Sequence, residues 1–353
     1  MGYSAKSNER EARERLRAFW ARSSLGRPAL SVPVANPAFR EEKWPGPELT
    51  PKQRDLLPEW HAWQHGAWNQ PEILLAETMP AHHVAWGSFL TTLACFAGGD
   101  YEYHDSAWIQ EIPDLWQRPL PRFDPNSPLA RTLDACYDAA KTAAAGRGFV
   151  TPPLMMDGLS TLAMFRSAER LCMDMVDRPD TVKAWSAALN TLYIDIYEHY
   201  YQRLGFRESL CFFGPMAEGR SEGVQCDFAV TLSPAMYEEF VLPDLRRVTD
   251  YLDFSLYHLD GTCQMRFLDL LRRCPKLTGI QWNPETTARN PLEWFDAFGE
   301  IRRRDFCLMI WASVDEAVAI ARELGPDGLF LCLPRFETVA EAETAIRRIE
   351  AVC

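Results

Sequence analysis

From Asp253 to the C-terminus the chain alternates short apolar runs with amphipathic stretches, and this alternation limits the fold more than any other feature. DFSLYH is followed by MRFLDLLRRC, LTGIQW by PLEWFDAFGEIRRR, DFCLMIW by SVDEAVAIARELG, and DGLFLCL by TVAEAETAIRRIEAV. The short runs are apolar at nearly every position, which predicts strands covered on both faces of a parallel sheet. The longer stretches carry the helical period and predict the crossovers between those strands.

Further upstream the pattern is less regular. ALSVPVA (29–35) reads as a first strand, GFVTPPLM and SLCFF as later ones, with an extended piece around Cys226–Val230. Helices are predicted over 5–22, 128–146, 159–176 and 180–204, and in SPAMYEEFVLPDLRRVTDYL with Ser233 as cap. The strands total about eight, which favours an α/β fold of the (β/α)8 TIM-barrel type. No Gly-x-Gly-x-x-Gly follows the first strand, which weighs against a dinucleotide-binding sheet. Residues 1–353 read as one domain. About 1–125 form an N-terminal extension of helices and loops over one end, including the first strand, and about 126–353 the main barrel.

Charge narrows the partners. The net charge is −12 and the longest basic run is Arg302-Arg303-Arg304, so nucleic acid and anionic membranes find no basic face. MGYSAKSNEREARERLR lacks the apolar core of a signal peptide, and no apolar stretch approaches the roughly 20 residues of a membrane span. The expected location is the cytoplasm. Ten cysteines occur without a Cys-x-x-Cys pair, mostly in apolar surroundings, and read as buried thiols. There is no Walker A loop and no Gly-x-Ser-x-Gly elbow.

In a barrel the C-terminal strand ends meet on one face, which carries the chemistry. His258 ends DFSLYH with Asp260 just beyond, Gln281 stands near the end of LTGIQW, and Cys332 near the end of DGLFLCL. Nitrogen, carboxylate oxygen and sulfur suit zinc, and an open coordination position would hold a substrate thiol as thiolate. The alternatives are ordinary ones: Cys332 as a core thiol, His258 bonded to a carbonyl, Gln281 as a rim residue. Asp227 either orients substrate or caps a turn, and Asp157, in Met-Asp-Gly, is a second carboxylate of the same ambiguity. His61 and His65 have i, i+4 spacing but no Glu after His61, and read as part of a half-exposed aromatic helix. His82 and His83 would approach the mouth from the extension, and Trp86, Trp108 and Trp116 read as core.

The segment QCDFAVTLSPAMYEEFVLPDLRRVTDYLDFSLYHLDGTCQMRFLDLLRRCPKLTGIQW resembles the uroporphyrinogen decarboxylase-like superfamily, above all its members with a Tyr-His-Leu-Asp-Gly signature. The likeness spans about Gly26 to the end and is most specific over 224–283. It implies a (β/α)8 barrel. It is shared with corrinoid-dependent zinc methyltransferases and with the catalytic domain of cobalamin-independent methionine synthase. Their metal motif is His-x-Cys, a distant Cys and, in one branch, a Glu between. His258 matches the His, Asp260 stands in place of the first Cys, Gln281 lies near the Glu, and Cys332 near the last Cys. Asp for Cys is a harder ligand, which admits manganese or iron beside zinc.

The resemblance implies transfer of a methyl group between a corrinoid held by a separate protein and a small, thiol-bearing acceptor, and a homodimer. Decarboxylases of the superfamily use arginines after the first strand; here only Arg40 follows, beside Glu41 and Glu42. Two further readings remain: a metal-free decarboxylase or lyase with Asp157 or Asp227 moving protons, and a non-catalytic barrel that binds a corrinoid or tetrapyrrole.

Overall fold

The computed structural model describes residues 3–66, 71–84, 89–205, 207–211, 214–283 and 290–353. Thirteen strands occur among them: β1 Ala29–Ala35, β2 Glu72–Ala76, β3 Ala81–His82, β4 Tyr101–Tyr103, β5 Ala107–Ile109, β6 Phe149–Val150, β7 Ser209–Leu210, β8 Met216–Ala217, β9 Ser221–Val224, β10 Phe254–Asp260, β11 Gly279–Asn283, β12 Cys307–Trp311 and β13 Leu329–Cys332. The central sheet has seven strands in the order β2-β1-β13-β12-β11-β10-β9. Six run parallel and β2 pairs antiparallel with β1.

The helices predicted after β11, β12 and β13 are present, whereas MRFLDLLRRC is a 3-10 stretch over Thr262–Phe267 and one α-turn, Leu268–Leu271. Ser313 and Thr338 each form a capping box at their N-termini, and Ser233 accepts from the Met236 N–H as expected. The stretch predicted as one helix over 159–176 is two, Gly158–Arg166 and Ala168–Asp177. Ser167 breaks it at φ 65°, and its hydroxyl caps the second helix. The extended piece expected at Cys226–Val230 is a 3-10 turn over Asp227–Thr231, and the strand lies earlier, at Ser221–Val224. Ser-Glu-Gly is a poor strand former, and the pairing with β10 overrides it.

The described residues form a mixed α/β fold around this sheet, and among them no hydrogen-bonded pairing closes the sheet into a barrel. The antiparallel β2 occupies the outer edge of β1, and β3 pairs with β6 as a separate parallel ribbon. Side chains connect the gap on the other flank, where Thr151 Oγ1 accepts from the Leu210 N–H at 3.0 Å and the Ser209 and Ser221 hydroxyls meet at 2.9 Å.

Alternation along the strands separates two cores. Tyr257, Leu259, Leu308, Ile310, Leu329 and Leu331 join the large cluster under the helices. Leu256, Cys307, Met309, Phe330 and Cys332 face the other way, into a smaller cluster with Leu16, Phe19 and Trp20 of the helix Glu9–Trp20. That helix, expected over 5–22, plugs the N-terminal ends of the strands. Trp20 packs 5.1 Å from Phe254, and its Nε1 donates to the Met216 carbonyl at 2.8 Å. With that end closed, the C-terminal ends remain as the place for a site. No helix among the described residues is long and apolar enough to cross a membrane.

Candidate metal centre

His258 and Asp260 share the parity of Leu256 and therefore face the inner side of the sheet. Gln281 and Asn283 lie in register beside them on β11, His258 opposite Gln281 and Asp260 opposite Asn283. Asp227, from the turn after β9, completes a group in which one ligand atom from each of Asp227, His258 and Asp260 lies within 4.8 Å of the others. Among the described residues no other three His, Cys, Asp or Glu side chains converge in this way.

The partners fix the chemical state of each ligand. Gln281 Nε2 donates to the Trp282 carbonyl at 2.8 Å, so its Oε1 is the atom that meets His258 Nδ1. An amide oxygen only accepts, so Nδ1 donates its proton to Gln281 and Nε2 is the ring nitrogen turned to the carboxylates. Nε2 lies 3.8 Å from Asp260 Oδ1, too far for a hydrogen bond and comparable to the separation of two ligand atoms on one cation. Asn283 Nδ2 donates to the same Asp260 oxygen at 2.7 Å and holds the carboxylate in place. Two residues of β11 thus orient two residues of β10, as outer-shell partners do at metal sites. Asp227 Oδ1 is buried without a hydrogen-bond partner among the described residues. Burial raises the Asp227 pKa, the Asp260 charge adds to the rise, and His258 opposes it. An orphaned carboxylate oxygen facing an imidazole and a second carboxylate is an arrangement that could hold a cation.

Of the remaining predicted residues, Gln281 supports His258 rather than standing among the ligand atoms. Cys332 is 5% exposed in the inner apolar cluster, and burial pushes its thiol well above the ordinary range. The structure does not bring it to the three ligands. Its strand position faces inward as expected, but its layer is dry. Asp157 caps the helix Gly158–Arg166 through the Leu159 and Ser160 N–H groups at 2.9 and 3.0 Å. Its Oδ2 is buried and unpartnered among the described residues. Burial raises its pKa to about 6, and the Asp227 charge contributes to the rise. Asn283 was not anticipated, although its position two residues beyond Gln281 on one strand face would have indicated it.

The helix Pro58–Gly66 corrects another expectation. His61 and His65 form its buried face, whereas Trp60 and Trp63 are half-buried and pack on Trp44. His61 Nε2 bonds the Asp55 carbonyl at 3.1 Å, and His65 Nδ1 meets His82 Nδ1 at 3.2 Å. His82 thus points to this helix, not to the mouth, while His83 is half-buried. Trp116 donates to Asp174 at 3.1 Å and packs on Trp185, Trp108 is 56% exposed on the β4–β5 hairpin, and Trp86 lies outside the described residues. All ten cysteines are free thiols.

The buried histidines make the fold acid-sensitive. Burial lowers His65 to about 3 and His82 to about 4. The unfolded chain takes up their protons near pH 6.5 and the folded chain does not, so their contribution is complete above about pH 6.5 and is lost as pH falls towards the folded values. Each should cost roughly 2 kcal/mol of stability between pH 7 and 5. Urea unfolding at the two pH values checks this, and a His65→Phe/His82→Leu double variant should flatten the dependence.

No family model matches the chain, and no curated protein matches it in sequence. Among solved structures it is similar to a methyltransferase from Methanosarcina mazei, covering 97% of this chain and 98% of that one, with a TM-score of 0.55 and 13% identity. At that identity the likeness shows a shared fold.

Proposed function

We propose that the chain is a divalent-metal-dependent methyltransferase with Asp227, His258 and Asp260 as its metal ligands. The observation that carries the metal assignment is their convergence within 4.8 Å, with the imidazole proton directed away from the group by Gln281. Methyl transfer is supported by the name of the protein that shares the fold and by the resemblance of the Tyr257–Gly261 signature. The same resemblance supports a full (β/α)8 barrel, a methylated corrinoid on a separate protein as donor and a small thiol as acceptor.

A nitrogen and two carboxylates suit zinc, manganese or iron(II). When bound, such an ion supplies a position at which an acceptor thiol loses its proton at neutral pH. The chain's own residues provide the rest. Gln281 and Asn283 keep the two β10 ligands in place, and Asp157, whose pKa burial raises to about 6, would hold a proton near Asp227. Gln281→Leu should weaken the metal by roughly 10–100-fold without unfolding the chain, as measured by competition with a chelator dye.

The test of the reaction uses methylcobalamin as donor and 2-mercaptoethanol as acceptor, with zinc, manganese or iron(II) added. Loss of the methyl–cobalt absorption band that requires metal, and is absent in Asp227→Asn, supports the proposal. A band that persists with every metal contradicts it. The lyase reading draws on the raised pKa of buried Asp157 and expects metal-independent turnover of a carboxylated substrate instead. Its weakness is charge: among the described residues no Lys or Arg forms an ion pair with Asp157, Asp227 or Asp260, and Arg40 donates to the Pro37 and Phe39 carbonyls.

A further inference from the structure

The candidate ligands are not held alike. His258 and Asp260 each have a side-chain partner on β11, Gln281 at the imidazole and Asn283 at the carboxylate. Asp227 lacks such support: its Oδ1 is buried without a hydrogen-bond partner among the described residues. Where that carboxylate sits is therefore decided by the backbone that carries it, the 3-10 turn Asp227–Thr231. A 3-10 turn this short has few and poorly aligned hydrogen bonds of its own, so outside contacts must fix its place.

Contacts at both ends do so. At the start, Ser160 Oγ of the helix Gly158–Arg166 accepts from the Phe228 N–H at 3.3 Å. At the far end, Arg266 Nη2 donates to the Val230 and Leu232 carbonyls at 3.0 and 2.8 Å and reaches the Ala229 carbonyl at 3.5 Å. Among the described residues, all the hydrogen bonds of this guanidinium go to the turn and the residue that follows it. Arg266 belongs to the 3-10 stretch Thr262–Phe267, just past β10. That stretch is tied to the strands of the other two ligands. The Tyr257 hydroxyl donates to Gln264 Oε1 at 2.9 Å, and the Gly261 N–H to the Asn283 carbonyl at 2.8 Å. The guanidinium also lies 4.8 Å from the centre of the buried Phe267 ring, which stacks on Tyr237 at 4.2 Å and limits its freedom.

We propose that Arg266 is the positioning residue for Asp227: it clamps the turn after β9 to the stretch after β10 and so brings the third ligand to the other two. The inference deepens the proposed function and rests on its metal centre. A guanidinium has no lone pair to offer a metal, so Arg266 acts through Asp227. Charge and position predict opposite signs. A cationic side chain near a cation site opposes metal binding, so its removal would tighten the metal if charge alone acted. Removal of a clamp loosens it.

The test measures zinc affinity by equilibrium dialysis in wild type, Arg266→Met, Arg266→Lys, Asp227→Ala and the Arg266→Met/Asp227→Ala double variant. Arg266→Met should bind zinc roughly 10–100-fold more weakly than wild type, the usual cost of losing a residue that supports a ligand. In the Asp227→Ala background the same change should alter affinity by less than about twofold, because the ligand it positions is already gone. Arg266→Lys keeps the charge but not the planar fork, and should fall between wild type and Arg266→Met. An equal loss in both backgrounds would mark a general structural role and overturn the proposal. Unchanged or tighter zinc binding in Arg266→Met would overturn it as well. Should Arg266→Met fail to fold, Arg266→Lys with and without Asp227→Ala makes the same comparison. Wild type that binds no zinc would instead overturn the metal centre, and this inference with it.

Discussion

Replacing His258 with alanine should strip the protein of its metal and leave it folded. The side chain is 16% exposed and its Nδ1–H is held by Gln281, so truncation leaves one buried amide oxygen without a donor and costs about 1–3 kcal/mol. The effect on the metal is much larger. His258 is the sole nitrogen donor in the group, and two carboxylates alone make a weak chelate. Loss of a ligand should exceed the roughly 10–100-fold that loss of an outer-shell partner costs. Thermal unfolding reads this directly. Metal at 100 times its dissociation constant stabilises the native state by about 2.7 kcal/mol, so wild type should melt at a higher temperature with metal and the variant should not respond. An equal metal-induced shift in His258→Ala would remove the histidine from the assignment.

Glu77→Leu should cost the fold about 3–5 kcal/mol, the range for leaving a buried charge unpaired. Glu77 is fully buried just past the end of β2. It accepts from Arg27 at 2.6 and 2.9 Å and from the Leu30 N–H of β1 at 2.8 Å, and Arg15 of the plugging helix lies 3.7 Å away. One carboxylate therefore ties the plug, the first strand and the antiparallel edge together. With leucine in its place, the buried Arg27 keeps the Pro28 carbonyl and the partly exposed Glu350, but loses its buried counter-charge. Replacing Arg27 by methionine in the same chain should recover much of the loss, because the uncompensated charge then leaves with its partner. Urea unfolding of the two variants measures both effects; a loss under about 1 kcal/mol in the single variant would contradict the network's role.

The sheet was legible in sequence where its strands are apolar on both sides. β10 to β13 stand where DFSLYH, LTGIQW, DFCLMIW and DGLFLCL place them, because burial on two faces leaves no other use for such runs. β9 was not legible. Ser-Glu-Gly, the first three residues of β9, are poor strand formers and pair because β10 offers them an edge. The pairing of β2 against β1 is a tertiary choice that local pattern does not encode.

For the candidate site, strand ends singled out His258 and Asp260, which the structure brings together with Asp227, and parity alone would have added Asn283. Parity also puts Cys332 inside, but which inner layer stays dry depends on Phe330, Met309 and the plug, which come from distant parts of the chain. Asp227 read equally well as a turn residue. Only its place opposite His258, with an oxygen no donor reaches among the described residues, separates the two meanings.

The central claim is that Asp227, His258 and Asp260 hold one divalent ion, and metal content tests it most directly. Wild type and Asp227→Asn, purified side by side without a histidine tag, are dialysed against zinc, manganese and iron(II) and measured by inductively coupled plasma mass spectrometry. The account expects close to one equivalent of a single metal per chain in wild type and a small fraction of that in the variant. Wild type without bound metal after every incubation, or an Asp227→Asn variant that retains a full equivalent, would contradict it.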